Sequence, residues 1–438
     1  MFESWSTSHD VDERSDSVRF RPGQMMYGPA WLAVLVVAAG CATFDPEPLD
    51  QVPFRERAQT ETQGDVTVSA VVLTEAETRR AFDVLMQREK IQPVYLRIQN
   101  DTDHDYLFLA VDLDPEYFSP HETSWKNHFF LGGLENKKMD DYMYDEEIHL
   151  NIPPRSTVEG FIYTNRDYGV KVVSVRLLAD HELKEFTFIL EIPGLKADYL
   201  EVDFENLYAE GEIVEVDLLG LRDALQELPC CVLGGDRKTP GDPLNLAVVG
   251  DPEHVLAPFI HRGWHLTERV HAGAVWSTVM SSIFGTEYKT SPISSLYLYG
   301  RPQDIGLQKA RDTVDERNHL RLWLSPLRYK GQEVWVGQIS RDIGVRLSLK
   351  TFVTHEIDPE VDEARNYIVQ DLILSQSVEA VAFVKGVGEA HKDEPRYNYT
   401  LSPYFTDGLH AVIFTSTQPV SLTEFTFFDW EHPPQDWD

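Results

Sequence analysis

The sequence predicts an α+β multidomain protein, in which an antiparallel β-sandwich precedes an α+β domain with a mixed sheet and helices on one side. Short alternating strands between turn signals fill residues 65–195, a pattern typical of an antiparallel sandwich. After residue 240 the order becomes β-α-β, then β-β, then α-β, which favours an α+β sheet. The 438 residues are 42% hydrophobic, which is enough apolar material for several packed domains.

The first 41 residues predict a secretion leader. The apolar run 30–39 is too short for a hydrocarbon core that needs about 20 apolar residues, and it has the size of a signal-peptide core. It continues into Ala38-Ala39-Gly40-Cys41, which resembles the lipobox where bacterial lipoproteins are acylated and cut. A buried core helix is the alternative. We expect lipidation at Cys41 and a location in the bacterial cell envelope, on the periplasmic side of the outer membrane.

Residues 42–64 are polar and rich in Gln, Glu and Pro, which predicts a tether between the lipid and the first domain. The sandwich domain is expected over residues 65–215. Thr74 and Glu77 form a capping-box pattern that predicts a helix with Phe82, Leu85 and Met86 on one face. Period-two alternation between turn signals predicts strands at residues 66–72, 94–98, 106–111, 158–163, 170–178 and 186–192.

The second domain is expected over residues 216–438. Leucines at helical spacing predict a helix over 218–228, and Asp251-Pro252 and Asp358-Pro359 supply start signals for two more helices,. Gly263 is the expected stop of the first of these two. Apolar runs predict strands at residues 244–249, 264–268, 320–324, 334–340 and 378–384, with edge strands at 409–415 and 421–428.

Several motifs in this second domain resemble one known family. They include Gly241-Asp-Pro-Leu-Asn-Leu-Ala-Val-Val-Gly250, Glu316-Arg-Asn-His-Leu-Arg-Leu-Trp323 and Val334-Trp-Val-Gly-Gln-Ile-Ser-Arg-Asp-Ile-Gly344. Together they resemble the LssY C-terminal domain over residues 228–388. In that family the domain also follows membrane-embedded phosphatases of the lipid-phosphate type, and its name comes from a component linked to type I secretion. The resemblance implies no activity for the domain itself. The sandwich is similar, more loosely, to immunoglobulin-like domains of bacterial lipoproteins.

The charge pattern indicates an anion site in an acidic protein. The net charge of −33 argues against nucleic acid as a partner, whereas residues 300–346 contain nine basic and six acidic residues. Arginine presents a planar donor fork that suits carboxylate or phosphate. The alternative is an internal network, with Arg301 bound to Asp304 and Arg341 to Asp342. The candidate ligand-binding residues are Arg301, Lys309, Arg311, Arg317, His319, Arg321, Arg341 and His355.

Two histidines are the candidates for proton transfer. His319 and His355 lie near Arg and Asp in the sequence, and imidazole titrates near neutral pH. His355 is the candidate general base, and Asp358 would orient its imidazole ring. No nucleophile elbow, phosphate loop or zinc-protease motif accompanies them,. Catalytic residues therefore stay unassigned, and whether the protein is an enzyme stays open.

The sequence predicts no metal site and no cofactor. His261 and His265 have helical spacing, but Gly263-Trp264 interrupts the shared face that zinc would need,. The adjacent Cys230 and Cys231 are expected to be two buried thiols, with a redox switch as the alternative.

The leading functional hypothesis is a membrane-anchored envelope lipoprotein of unknown activity. Its sandwich acts as a spacer or docking module, and its LssY-like domain binds an anionic envelope ligand or a partner protein. The expected partners are the membrane, through the lipid anchor, and an envelope or secretion-related protein or an anionic lipid. The alternative is a hydrolase that acts on a phosphorylated or lipid substrate.

Overall fold

The first half of the folded chain is a β-sandwich. The computed structural model describes residues 43–167, 170–192, 202–204, 206–267, 293–310, 317–348 and 352–434. Side chains are described for all of these residues except 310, 345–348 and 352–355. The expected leader and its lipidation site, Cys41, therefore lie outside the described residues.

Two antiparallel four-stranded sheets build the sandwich. Its strands are β1 Gln59–Gln63, β2 Val66–Val72, β3 Ile91–Asn100, β4 Tyr106–Phe108, β5 Asn151–Ile152, β6 Ser156–Asn165, β7 Val170–Ala179 and β8 Glu182–Glu191. The strand orders are β1-β2-β3-β6 and β5-β4-β7-β8. Alternate residues of both sheets, among them Val68, Leu96, Val175 and Phe188, meet in one buried cluster. The predicted antiparallel sandwich is confirmed.

A helical layer covers the outer face of the first sheet. Its helices are α1 Glu75–Phe82, α3 Pro120–Asn127 and α4 Gly133–Asp145, whereas the short α2 Ala110–Leu113 packs into the cluster between the two sheets. The predicted capping box is present, because Thr74 Oγ1 accepts from Glu77 N at 3.1 Å and Glu77 Oε2 accepts from Thr74 N at 2.8 Å. Helix α1 ends at Phe82, because Asp83 adopts the left-handed conformation at φ 51°. Leu85 and Met86 therefore lie beyond the helix that was expected to carry them.

The segment predicted to be a tether is packed against the sandwich. Phe44, Val52 and Phe54 are buried there, in a cluster with residues of α1, α4 and the first sheet. Short 3₁₀ helices occupy Leu49–Gln51 and Pro53–Arg57, and β1 pairs with β2. The structure corrects the tether prediction, because a few apolar side chains suffice to hold a segment whose average composition is polar.

The second half of the chain contains a large mixed sheet. The strands of this half, which also forms two smaller sheets, are β9 Val214–Val216, β10 Cys231–Leu233, β11 Pro240–Pro243, β12 Leu246–Val249, β13 His265–Leu266, β14 Tyr297–Leu298, β15 Arg301–Pro302, β16 Ile305–Ala310, β17 Arg317–Tyr329, β18 Gln332–Ser348, β19 Phe352–Ile357, β20 Val378–Lys385, β21 Arg396–Tyr397, β22 Pro403–Tyr404, β23 Leu409–Thr415 and β24 Thr426–Phe427. Its helices are α5 Leu218–Gln226, α6 Pro252–His261 and α7 Val361–Ile373.

The strand order of the large sheet is β13-β16-β17-β18-β12-β23-β20-β24, with β19 beside β18 and β9 beside β17. The β12–β23 pair is parallel and the β17–β18 pair antiparallel, which confirms the predicted mixed sheet. Helices α6 and α7 pack on one face, where Phe259 and Ile368 join Leu322 and Trp335 in a buried cluster. The opposite face is covered by α5 and by a small sheet of order β11-β10-β14-β15, so the predicted placement of the helices on one side is wrong for α5.

Strand β23 occupies the middle of the sheet. It lies between β12 and β20, and all seven of its residues are buried. The structure corrects the expected edge position of 409–415, because a continuous apolar run is typical of a strand that is covered on both faces. Strand β24, within the other predicted edge segment, pairs with β20 at the end of the strand order.

Buried polar contacts join the sandwich to the second half of the chain. Arg176 on β7 donates to Ser375 O at 3.0 Å and to Ser377 Oγ at 2.6 Å, and His261 Nε2 lies 2.7 Å from Ser174 Oγ. The chain from residue 42 onward forms one compact unit. The expected boundaries at residues 65 and 216 stay predictions. Within the described ranges, every helix is too short or too polar to cross a membrane.

Candidate anion-binding site

A row of polar side chains occupies one face of β17. Arg317, His319 and Arg321 alternate along the strand, so their side chains share a face. Each of the three is only 4–6% exposed. Trp323, the next residue on this face, belongs to the apolar cluster beneath α5. The polar row therefore begins where the hydrophobic core of this face ends.

The neighbouring strands supply amide partners to these arginines. Gln308 on β16 lies opposite His319, and Gln338 on β18 lies opposite Arg321. Arg317 Nη1 donates to Gln308 Oε1 at 2.8 Å, and Arg321 Nη1 donates to Gln338 Oε1 at 2.9 Å. A second acceptor of Arg321 is the Ser294 carbonyl, at 3.1 Å from Nη2. These acceptors are neutral, so they satisfy guanidinium donors without cancelling their charge.

Two buried carboxyl groups accompany the arginines. Asp342 Oδ2 lies 3.3 Å from His319 Nδ1 and 3.7 Å from Arg317 Nε. Burial raises the pKa of Asp342 to about 7, although Arg317 and Arg321 act in the opposite direction. Burial likewise raises the pKa of Asp242 on β11, whose Oδ1 accepts from Asn398 Nδ2 at 2.7 Å. We call Arg317, His319, Arg321, Asp342 and Asp242 the β17 cluster.

Burial disfavours the charged forms of the side chains in the β17 cluster. Burial lowers the pKa of Arg321, because a guanidinium removed from water loses hydration. Near pH 7 Asp342 is only partly ionised, since its pKa is about 7. An anion placed between the guanidiniums of Arg317 and Arg321 would replace the missing hydration with charge-assisted hydrogen bonds.

Arg301 lies in an internal network rather than in the β17 cluster. Its Nε and Nη2 donate to the two carboxylate oxygens of Asp304, both at 2.9 Å. Asp304 also accepts from Leu324 N at 2.8 Å. This fork ties β15 to β17, as the alternative interpretation of the sequence expected. For Arg301 the structure offers a structural role.

Lys309 and Arg341 lie on the opposite face of the sheet, towards α7. Lys309 Nζ is 2.9 Å from Asp371 Oδ2. The guanidinium carbon of Arg341 lies 5.7 Å from the centre of the Tyr367 ring, and its Nε donates to Asn318 Oδ1 at 3.3 Å. The expected Arg341–Asp342 pair is therefore replaced by contacts on the other face, because consecutive strand residues point to opposite sides.

Arg311 and the side chain of His355 lie outside the described part of the chain. The predicted arrangement, in which Asp358 orients His355, therefore stays a prediction.

Asp358 lies just before helix α7. Its Oδ1 accepts from Glu360 N at 3.1 Å. The residue that precedes α7 is Glu360, so Asp358 is not the N-cap that the sequence predicted. The helix begins two residues later than the Asp358-Pro359 pair predicts, because Val361 is its first helical residue.

Cys230 and Cys231 are joined in a vicinal disulfide. The prediction of two buried thiols is wrong. Cys231 Sγ lies 3.5 Å from the Tyr404 hydroxyl, and its strand β10 pairs with β11, which carries Asp242. The disulfide therefore lies one strand away from the β17 cluster.

The described residues contain no group of three or more potential metal ligands. His261 and His265 contact different partners. The side chain of His261 is buried against Ser174, and burial lowers its pKa well below the usual value. His265 Nδ1 lies 3.7 Å from Asp167 Oδ1.

Comparison with known proteins identifies the segment that carries this site. Residues 226–409 match the family model described as LssY C-terminus. The match confirms the resemblance found in the sequence over residues 228–388. It includes the β17 cluster, the vicinal disulfide and the helix α7. A search of curated proteins found no match to the chain.

Proposed function

We propose that the LssY C-terminal segment binds an anionic, phosphate-bearing ligand through Arg317, His319 and Arg321. The observation that carries this proposal is that both guanidiniums are buried and donate to the glutamine amides Gln308 and Gln338. A buried charge normally requires an opposite charge. In the β17 cluster Asp342 supplies part of it, with its Oδ2 3.7 Å from Arg317 Nε, and a bound phosphate would add charge-assisted hydrogen bonds.

Burial restricts the shape of the ligand. Because the three side chains are 4–6% exposed, a phosphate monoester or a single lipid head group fits the site better than a polymer. Low solvent access also strengthens each charge–charge contact, since the effective dielectric constant falls away from water. A lipid ligand would keep its acyl chains outside the β17 cluster. Anionic envelope lipids belong to this class.

Hydrolysis of the bound phosphoester is a second candidate function. It is favoured by the 3.3 Å distance between His319 Nδ1 and Asp342 Oδ2, because a carboxyl group that orients an imidazole is a common feature of general acid–base sites. The neighbouring arginines would stabilise developing negative charge. Release of inorganic phosphate by the wild type, absent in His319→Asn, would favour hydrolysis over binding alone.

Thermal unfolding in the presence of phosphate compounds tests ligand binding. Inorganic phosphate, glycerol 3-phosphate and short-chain phosphatidic acid are suitable probes. At a concentration 100 times the dissociation constant, a ligand stabilises the folded state by about 2.7 kcal/mol. We expect at least one probe to raise the unfolding midpoint of the wild type and of Arg341→Gln, which alters the opposite sheet face, but not that of Arg321→Gln. Equal responses of all three proteins would contradict the proposal.

The proposed setting is the cell envelope, with the chain anchored by acyl groups on Cys41 at the periplasmic side of the outer membrane. The lipobox-like sequence before Cys41 supports this, and each buried methylene of an acyl chain contributes about 0.8 kcal/mol to membrane binding. The sandwich would then act as a spacer or as a docking module for an envelope or secretion-related protein. Membrane fractionation should show loss of the mature, acylated form in Cys41→Ala. An unchanged mature form in the membrane fraction would contradict acylation there.

A further inference from the structure

Four large apolar side chains project from the hairpin of α3 and α4 into solvent. Trp125, Phe130, Leu131 and Leu134 are 69%, 98%, 84% and 79% exposed. We call these four residues the apolar tip. Single exposed apolar residues are common on proteins, but four large ones within ten residues of one hairpin are typical of a binding surface,.

The hairpin holds the apolar tip in a fixed geometry. Phe129 N donates to Asn136 Oδ1, and Asn136 Nδ2 donates to Phe129 O, both at 2.9 Å. Asp140 Oδ1 accepts from Ser124 Oγ at 2.5 Å and lies 2.7 Å from His128 Nε2. The Ser124–Asp140 contact joins α3 to α4, and the contacts of His128 and Phe129 join the connecting loop to α4. The apolar side chains are thus displayed by an ordered support.

The start of the described chain lies beside the same helix. Phe44 N donates to Glu135 Oε2 at 3.0 Å, and its ring centre is 5.7 Å from that of Tyr142. Glu135 directly follows Leu134 of the tip. Three residues of chain reach at most about 11 Å, so an acyl group on Cys41 would be attached close to Phe44. The packed segment 44–63 leaves no long tether to separate them.

The residues of the tip suit a lipid surface. Aromatic side chains favour the interface between head groups and acyl chains, and lysines near the head groups attract anionic lipids. Trp125 and Phe130 are the aromatic residues of the tip, and Lys126 follows Trp125. Lys137 and Lys138 are already paired with Asp141 and Glu135, at 2.6 Å and 2.8 Å.

We propose that the apolar tip inserts into the membrane leaflet that holds the acyl chains of Cys41, with Lys126 at the level of the head groups. The inference rests on the proposed acylation, and it adds a second contact that fixes the orientation of the protein on the membrane. Stable membrane attachment commonly requires two such signals. The sandwich end that carries α3 and α4 then faces the lipid.

Spin-label accessibility tests this insertion in the full acylated chain on vesicles of phosphatidylcholine with phosphatidylglycerol. A nitroxide is attached through Phe130→Cys, or through Leu219→Cys as a control, since Leu219 on α5 is 65% exposed. We expect the label at position 130 to lose contact with a water-soluble nickel chelate and to gain contact with oxygen, which dissolves in lipid. The control label should stay open to nickel. Equal nickel accessibility at both positions would overturn the proposal.

Vesicle flotation in the same experiment separates the tip from the anchor. A chain that floats with vesicles while the label at position 130 stays open to nickel overturns tip insertion and leaves acylation standing. A chain that does not float overturns both. A label shielded from nickel and oxygen alike would mean that a protein covers the tip, which also overturns insertion.

Discussion

Arg365→Met should lower the free energy of unfolding by about 3–5 kcal/mol, because it leaves buried carboxylates without their cation. Arg365 is fully buried. Its Nη1 and Nη2 lie 2.6 Å and 2.8 Å from the two carboxylate oxygens of Asp407, and Nη1 also donates to Leu409 O at 2.9 Å. Asp362 lies 3.2 Å away. The guanidinium thus ties α7 to the start of β23, at the centre of the large sheet.

Chemical denaturation followed by circular dichroism measures this loss. Arg79→Met is the matched control, because Arg79 lies on the exposed surface of α1, and such a substitution changes stability by no more than about 0.5 kcal/mol. Methionine keeps much of the volume of arginine, so the comparison reports charge and hydrogen bonds more than packing. A loss in Arg365→Met as small as that of the control would contradict the role given to this ion pair.

Asp342→Asn should stabilise the protein increasingly as pH rises. Burial raises the pKa of Asp342 from 3.8 to about 7 in the folded chain. The folded state therefore holds a proton that the unfolded state has released between about pH 4 and pH 7, so the stability of the wild type falls across this interval. Each pKa unit corresponds to about 1.4 kcal/mol, which sets an upper bound of about 4 kcal/mol at pH 8. Asparagine does not ionise, so the variant does not lose stability in this way.

Denaturation curves at pH 5 and pH 8 test the prediction. The difference in unfolding free energy between Asp342→Asn and the wild type should be more favourable to the variant at pH 8 than at pH 5. Asp393→Asn, at an exposed position, serves as the control and should show little change between the two pH values. A difference for Asp342→Asn that does not vary with pH would show that this carboxyl is not destabilised by burial.

Local sequence rules predicted much of the fold. The alternation at residues 66–72 became strand β2, the Thr74–Glu77 pattern became a capping box, and the apolar stripe through Val361, Ile368 and Leu372 became the buried face of α7. Each feature depends on contacts within a few residues. The LssY motifs also predicted the segment that the family model matches.

Features that depend on distant contacts were not predictable in the same way. The central position of β23 depends on which strands pair with it, and the packing of Phe44 and Phe54 depends on helices that lie later in the chain. For the site, the sequence singled out Arg317, His319 and Arg321 among the candidate ligand-binding residues. It could not show that Gln308 and Gln338 lie opposite, because strand register is set by the whole sheet.

Direct titration of the wild type with a phosphate monoester, such as glycerol 3-phosphate, tests the central claim. Binding should be saturable, should be stronger at pH 6 than at pH 8 because Asp342 is mostly neutral at pH 6, and should weaken at least about tenfold in Arg321→Gln, which equals about 1.4 kcal/mol. Arg341→Gln should bind as the wild type does. Saturable binding that is unchanged in Arg321→Gln, or no binding by the wild type of any phosphate compound, would contradict the assignment of the β17 cluster as an anion site.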